Sequence, residues 1–317
     1  MHMADALISP EVGITFTVIS TAAIAYSIKK LKDKPVSPAM MGVMGAFVFA
    51  AQMINYPIIG TGSSGHIGGG IILAMILGPY AALIAMTAIL SVQAFFFADG
   101  GLLALGCNIF NMGVIPALFV YPLISKYLKN KYLVIPAIII ALEAGASMVC
   151  LQTFLSGRFS IPSTTFILLM LGIHLPIAII EGIITAGVLA LIEKIKPGDL
   201  KISEPGTRTI IPLLVLSIIT GTVIAWFAST SPDGLEWTLE KIKIEEKSHS
   251  GGIAEYLSSF QEKTSFLPDY NFQNAEETNW GQPVFGTSVS GIAGIAIVLV
   301  IAGMISYIMG RLQRKQE

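Results

Sequence analysis

Apolar residues in this 317-residue chain come in long unbroken runs, with polar residues gathered in the gaps between them. Runs at about residues 12–28, 39–54, 103–124, 133–155, 164–192, 210–228 and 285–308 approach or exceed the roughly 17–25 residues that cross a bilayer as helix. The run at residues 67–98 is too long for one ordinary span, and Gly78-Pro79 interrupts it. It predicts either one helix or a hairpin of two.

Charge decides between them. With a hairpin, the basic loops all fall on one side: Lys29, Lys30, Lys32 and Lys34; Lys126, Lys129 and Lys131; Lys194, Lys196, Lys201 and Arg208; Arg311, Arg314 and Lys315. These are fourteen of the nineteen Lys and Arg residues, and the positive-inside rule makes their side cytoplasmic. A single helix would put Lys126–Lys131 outside. The expectation is therefore an all-α, multi-pass protein of the cell membrane, with its amino terminus outside and its carboxyl terminus in the cytoplasm. A seven-helix bundle is followed by two further transmembrane helices flanking an extracytoplasmic loop. The first half of the hairpin is short, which is tolerable only if it packs within protein.

Two units follow from the same pattern, residues 1–200 and 206–317. The segment 196–208 between them has two prolines and two glycines among charged residues and reads as a cytoplasmic linker. The loop at 229–284 is acidic, with ten Asp and Glu against four Lys. Residues 235–260 read as amphipathic helix broken at Gly251-Gly252.

Composition narrows the class. Mean hydropathy is +0.74 and only 12% of residues are charged, against about 25% in a soluble domain. A net charge of −1 offers no basic surface for nucleic acid. Cys107 and Cys150 lie in apolar stretches without a second Cys or a His at ligand spacing, and read as small packed hydrophobes. No G-x4-G-K-[ST] loop is present, so the chain does not itself hydrolyse ATP in the P-loop manner. No G-x-S-x-G or H-E-x-x-H suggests an enzyme. No charged, apolar and small-residue sequence marks a cleaved signal peptide, so Met1 is expected to head the mature chain.

That expectation gives Met1-His2 a chemistry. The terminal amine, the His2 backbone nitrogen and one imidazole nitrogen can close two fused chelate rings around one ion. One further ligand completes a plane of four nitrogens, which suits Ni(II) and Cu(II) and which Co(II) can accept. The bland alternative is a frayed end with an arbitrary second residue. His66, in the loop Gly62-Ser63-Ser64-Gly65-His66, is predicted on the same side of the membrane and is the candidate fourth ligand. The alternative there is a helix-entry loop with a capping serine. Ser64, Asn55, Gln93, Asp99, Asn108 and Asn111 are candidates to orient the ligands, or to bond helix to helix. His174 and Glu181 share a helix face and read as packing or a local pair. Gly42, Ala46 and Ala50 form a stripe that lets another helix approach closely, from this chain or from another subunit.

Several of these residues carry a family resemblance. Met1-His2-Met3-Ala4-Asp5-Ala6-Leu7-Ile8-Ser9-Pro10, Ser64-Gly65-His66 with Gly68-Gly69, Leu77-Gly78-Pro79, the run Ala98-Asp99-Gly100-Gly101-Leu102-Leu103-Ala104-Leu105-Gly106 and Asn108-x2-Asn111-Met112-Gly113 resemble the CbiM/NikM group over about residues 1–200. These are metal-binding S components of energy-coupling-factor importers. The resemblance implies seven helices and an ion held by the Met1 amine, the His2 amide and imidazole nitrogens and the His66 imidazole. Pro232-Asp233-Gly234-Leu235-Glu236 resembles the signature of the small auxiliary subunit of such systems, here fused. Such modules accompany nickel systems, so Ni2+ is the expected cargo ahead of Co2+, with no organic cofactor. The implied partners are a transmembrane coupling subunit and cytoplasmic ATPase subunits. A competing class is a secondary transporter with Glu143 and Glu181 as its ion path. A third is an interaction module docking through residues 229–284.

Overall fold

The apolar runs fold as helices with ordinary start and stop chemistry. A computed structural model describes residues 2–31, 36–127, 133–157, 163–195, 207–243, 252–272 and 281–313. Helix α1, Pro10–Leu31, opens on proline and Glu11 and closes on Lys29 and Lys30, each charge at the end of the helix dipole that favours it. Helix α2 is Pro38–Gln52. A two-stranded antiparallel hairpin follows, β1 Tyr56–Ile58 and β2 Ser63–Gly65, pairing Tyr56 with Gly65 and Ile58 with Ser63.

The long run then divides as the basic loops require. Helix α3, Gly70–Leu77, has only eight residues, all of them buried. Gly78, at φ 81°, takes a conformation costly for other residues and turns the chain into α4, Pro79–Phe97. Helix α5, Leu105–Ile109, continues through a wider π-helical stretch, Phe110–Val120, into α6, Tyr121–Ile124. Pro116 inside that stretch has no N–H to donate. Helices α7, Val134–Ser156, and α8, Ser163–Ile195, form an extensive pair. In the second unit come α9, Thr207–Thr222, α10, Gly234–Ile242, α11, Ile253–Thr264, and α12, Phe285–Gln313.

Counting α5 to α6 as one rod, seven helices and then two more follow the expected order among the described residues, with α10 and α11 in the connecting loop. Among the described residues, six helices are long and apolar enough to cross a membrane, and α2 and α9 are shorter apolar ones. This is a multi-pass membrane protein. The expected break in the loop helix is present: Gly252, at φ 94°, starts α11, while Gly251 and the linker residues 196–206 lie outside the described residues.

The Gly42-Ala46-Ala50 stripe is covered within the chain. A Cβ on Gly42 would come 2.7 Å from the Leu299 carbonyl of α12, and one on Gly221 of α9 would come 3.5 Å from the Ala50 Cβ. The second unit thus lies along α2, which carries its loop to the ends of α2 and α4.

Candidate metal pocket

The amino-terminal segment is threaded into the bundle by its backbone. Met3 donates its N–H to Asn108 Oδ1 at 2.8 Å, and its carbonyl accepts from Asn108 Nδ2 at 3.2 Å and from the Gly101 N–H at 2.9 Å. One asparagine amide therefore pairs with both polar groups of a residue that is wholly buried. Asp5 Oδ1 accepts the Ala104 N–H at 3.0 Å. A Cβ on Gly101 would collide with the Asp5 carboxylate, which accounts for a glycine there. These contacts set His2 at the inner wall. Met1 lies outside the described residues.

His66 is placed from the other side. The hairpin before it presses on α8, where a Cβ on Gly65 would come 2.6 Å from Ile177. Beyond it, Glu181 accepts the N–H groups of Gly68 at 2.8 Å and Gly69 at 3.0 Å. Gln52 donates to the Gly68 carbonyl at 2.9 Å.

From that carbonyl a directed relay runs to His2. A carbonyl oxygen only accepts, so the Gln52 amide nitrogen must face it and the Gln52 oxygen must face Gln93. Gln93 Nε2 donates to Gln52 Oε1 at 3.0 Å, leaving Gln93 Oε1 to accept from His2 Nε2 at 3.2 Å. His2 therefore carries its proton on Nε2 and presents the Nδ1 lone pair. Nδ1 lies 3.4 Å from Asp99 Oδ1, a pairing of two acceptors that a cation or a proton would bridge. His66 resolves in the opposite sense. Its Nδ1 bonds the Ile67 carbonyl at 3.1 Å, so its Nε2 has the lone pair, and that atom is buried without a hydrogen-bond partner. The two rings lie 5.0 Å apart at 26°. Burial, with the neighbouring His2, pushes the His66 pKa down to about 3, so the ring is neutral across the physiological range.

The loop of the second unit roofs this site. Ser64 donates its N–H to the Pro232 carbonyl at 2.8 Å and its hydroxyl to the Ser231 carbonyl at 2.7 Å. Trp237 Nε1 donates to the Thr61 carbonyl at 2.9 Å. On the far side Gln261 bonds the carbonyls of Ala94 and Gly100 at 2.9 and 2.7 Å. Tyr270 stacks on Phe97 and donates its hydroxyl to Asp99 Oδ2. Beneath lies a cavity of about 520 Å³ whose lining includes His2, His66, Asp5, Asp99, Asp233 and Tyr270.

Of the residues singled out in the sequence, His2, His66 and Asp99 line the pocket, and Gln93 bonds His2 from behind it. Asn55 lines it, and its carbonyl accepts the Ser229 N–H at 2.6 Å. Asn108 acts through Met3. Asn111 is paired with Gln152 at 2.8 and 3.0 Å, and Ser64 is engaged by Ser231 and Pro232. His174 is buried and bonded to the Met170 carbonyl at 2.7 Å. Met3 and Asp5 enter the sequence reading only within the amino-terminal run, and Gln261 and Tyr270 not at all. Among the described residues no group of three or more His, Cys, Asp and Glu side chains forms a metal cage.

Comparison with known proteins agrees with this architecture. The CbiM family, described as the cobalt uptake substrate-specific transmembrane region, matches residues 2–198, and the PDGLE domain matches residues 207–311. A relative in Archaeoglobus fulgidus, named as a fused nickel transport protein NikMN, is 28% identical over 95% of this chain and 96% of its own length. One in Lactiplantibacillus plantarum, named as a fused nickel transport protein LarMN, is 30% identical over 77% of this chain and 80% of its own. The crystal structure of a transition metal transporter superposes with TM-score 0.54 at 27% identity, covering 63% of this chain and 96% of that one. The chain therefore belongs to the CbiM family of nickel and cobalt transport proteins, fused to a PDGLE module, and is a transporter component rather than an enzyme.

Proposed function

We propose that this chain is the metal-capturing membrane subunit of an energy-coupling-factor importer and takes up one divalent transition metal ion, Ni2+ ahead of Co2+, at the outer face. The donors are the Met1 amine, the His2 backbone nitrogen and Nδ1, and His66 Nε2. The observation that carries this reading is the buried, unpartnered Nε2 of a neutral His66 beside the His2 ring. The relay from Gly68 supports it further, because it leaves His2 Nδ1, the nitrogen able to chelate with its own backbone, as the lone-pair atom.

The donor chemistry sets the cargo. Deprotonating a backbone amide needs a strongly polarising ion, which disfavours Mg2+ and Ca2+ with their preference for oxygen ligands. A plane of four nitrogens favours Ni2+, and both fused relatives carry nickel in their names. Residues 1–200 form the metal-binding unit, and residues 206–317 form the auxiliary module with its extracytoplasmic loop at 229–284. Energy comes from separate ATPase subunits acting through a transmembrane coupling subunit. The amino terminus lies outside and the carboxyl terminus in the cytoplasm, in keeping with the basic loops.

The test is the metal content and visible absorption of the purified chain loaded with Ni2+. A planar four-nitrogen complex in a one-to-one ratio is expected, lost in His66→Ala and retained in His174→Ala. Loss in His174→Ala with retention in His66→Ala would move the site elsewhere.

A further inference from the structure

We propose that α11 rests on the bilayer: one apolar face of this roof helix enters the lipid interface at the pocket's end of the spans, and its partner is zwitterionic lipid. The proposal does not depend on the metal reading and gives the roof a second attachment.

Placement comes first. Helix α4 has 19 residues, about 28 Å at 1.5 Å per residue, which matches a hydrocarbon thickness of about 30 Å. Its last turn therefore stands at one boundary of the bilayer, and α11 is fastened to that turn. Gln261 donates to the Ala94 and Gly100 carbonyls, and just beyond the helix the Leu267 N–H bonds the Phe96 carbonyl at 3.3 Å. Phe260 meets Phe95 edge-on at 6.5 Å, and Phe266 meets Phe96 at 5.6 Å. The roof also reaches the first turn of α12, a second spanning helix, where the rings of Phe272 and Phe285 lie 6.0 Å apart. Phe95 and Phe96 are only half-buried, so the lipid-facing surface of α4 continues through these ring contacts onto α11.

Periodicity then picks the face. Ile253, Tyr256 and Phe260, at i, i+3 and i+7, share one side of α11 and are 46%, 69% and 41% exposed. Buried Ala254 and the bonded Gln261 lie on the adjoining side, toward the protein. Glu255 and Glu262 are exposed on the far side. Helix α10, in the same roof, turns its apolar residues inward: Leu235 is buried, and Trp237, Leu239 and Ile242 are partly buried. The open apolar face is thus particular to α11, and such faces mark contact with protein or membrane. At a bilayer boundary, a helix with rings on one side and charge on the other lies in the interface plane, its apolar face about 5–10 Å deep. Two Glu against one Lys in α11 give no attraction to anionic lipid, which leaves zwitterionic lipid as the partner. Gln261 follows Phe260 directly and holds Gly100, the neighbour of Asp99, so lipid contact steadies the pocket rim through one helix.

The experiment places a fluorophore on each side of α11 in the full-length protein. Ile253→Cys, Tyr256→Cys and Glu262→Cys are made singly, labelled with nitrobenzoxadiazole and reconstituted in phosphatidylcholine vesicles with or without lipid carrying an acyl-chain nitroxide. Aqueous iodide is the second quencher, and wild type, whose Cys107 and Cys150 are buried, is the blank. The labels at positions 253 and 256 are expected to lose most of their fluorescence to the nitroxide lipid and little to iodide, and the label at 262 the reverse. Added phosphatidylglycerol should leave this pattern unchanged. Loss to iodide alone at 253 and 256 would put the face in water, and protection from both quenchers would mean that protein covers it; either overturns the proposal. Equal loss to the nitroxide lipid at 262 overturns the choice of face, and lipid contact that appears only with phosphatidylglycerol overturns the choice of lipid. Should one ring-face variant melt below wild type, the other decides.

Discussion

Glu181 on α8 accepts the backbone N–H of Gly68 at 2.8 Å, and through that bond a helix over a hundred residues away fixes the loop that carries His66. The second carboxylate oxygen takes the Gly69 N–H at 3.0 Å, so both oxygens are engaged in holding backbone. Glu181→Gln should keep the shape but turn an amide nitrogen toward one of these donors. Leaving one buried N–H unsatisfied costs about 1–3 kcal/mol, so a lower melting temperature is expected, with Ni2+ affinity down about tenfold. Unchanged affinity in the folded variant would mean that the loop holds His66 without this anchor.

Gln93→Leu cuts the relay from the Gly68 carbonyl to His2. His2 then loses the acceptor that keeps its proton on Nε2. Affinity for Ni2+ should fall about 10–100-fold, as for other residues that orient metal-bound imidazoles, while helix content measured by circular dichroism stays at the wild-type value. Equal binding by the variant and wild type would show that the tautomer is set some other way.

The depressed pKa of His66 has a direct readout. The free imidazole takes up its proton near 6.5, whereas the buried ring does so only near 3. Between these values the unfolded chain binds more protons at this residue than the folded one, so folding stability contributed by His66 is lost as pH falls from about 6.5 toward 3. In the metal-free protein, histidine ring NMR signals should show His66 flat from pH 8 to 5. A midpoint near 6.5 would contradict its burial as a neutral base.

Much of the architecture was legible from run length and Lys and Arg placement alone, because spanning a bilayer imposes a length and the positive-inside rule imposes a side. The division of residues 67–98 into α3 and α4 came from the loop at Lys126, far from the break itself. His2, His66, Gln93 and Asp99 were legible by residue type, since polar groups near a membrane surface are few. The roof was not. Ser64 reads locally as a residue that orients an imidazole, but its donors go to Ser231 and Pro232, and Tyr270 reaches Asp99 from 171 positions away. No periodicity in the sequence encodes such docking. Asp233 stood in a recognisable signature, yet its place in the pocket lining beside His66 depends on the fit of Gly234 against α8.

The most direct measurement is Ni2+ binding to a chain extended by four glycines ahead of Met1, with the terminus of both proteins checked by intact mass. The extension leaves every side chain in place, carries the free amine away from its chelate with His2, and keeps the histidine from the third position, where it would itself form a planar four-nitrogen complex. Loss of the planar four-nitrogen absorption, with affinity lowered by at least a hundredfold, is the result predicted here; an extended chain that binds Ni2+ with the wild-type spectrum and affinity would contradict a site built on the first nitrogen of the protein.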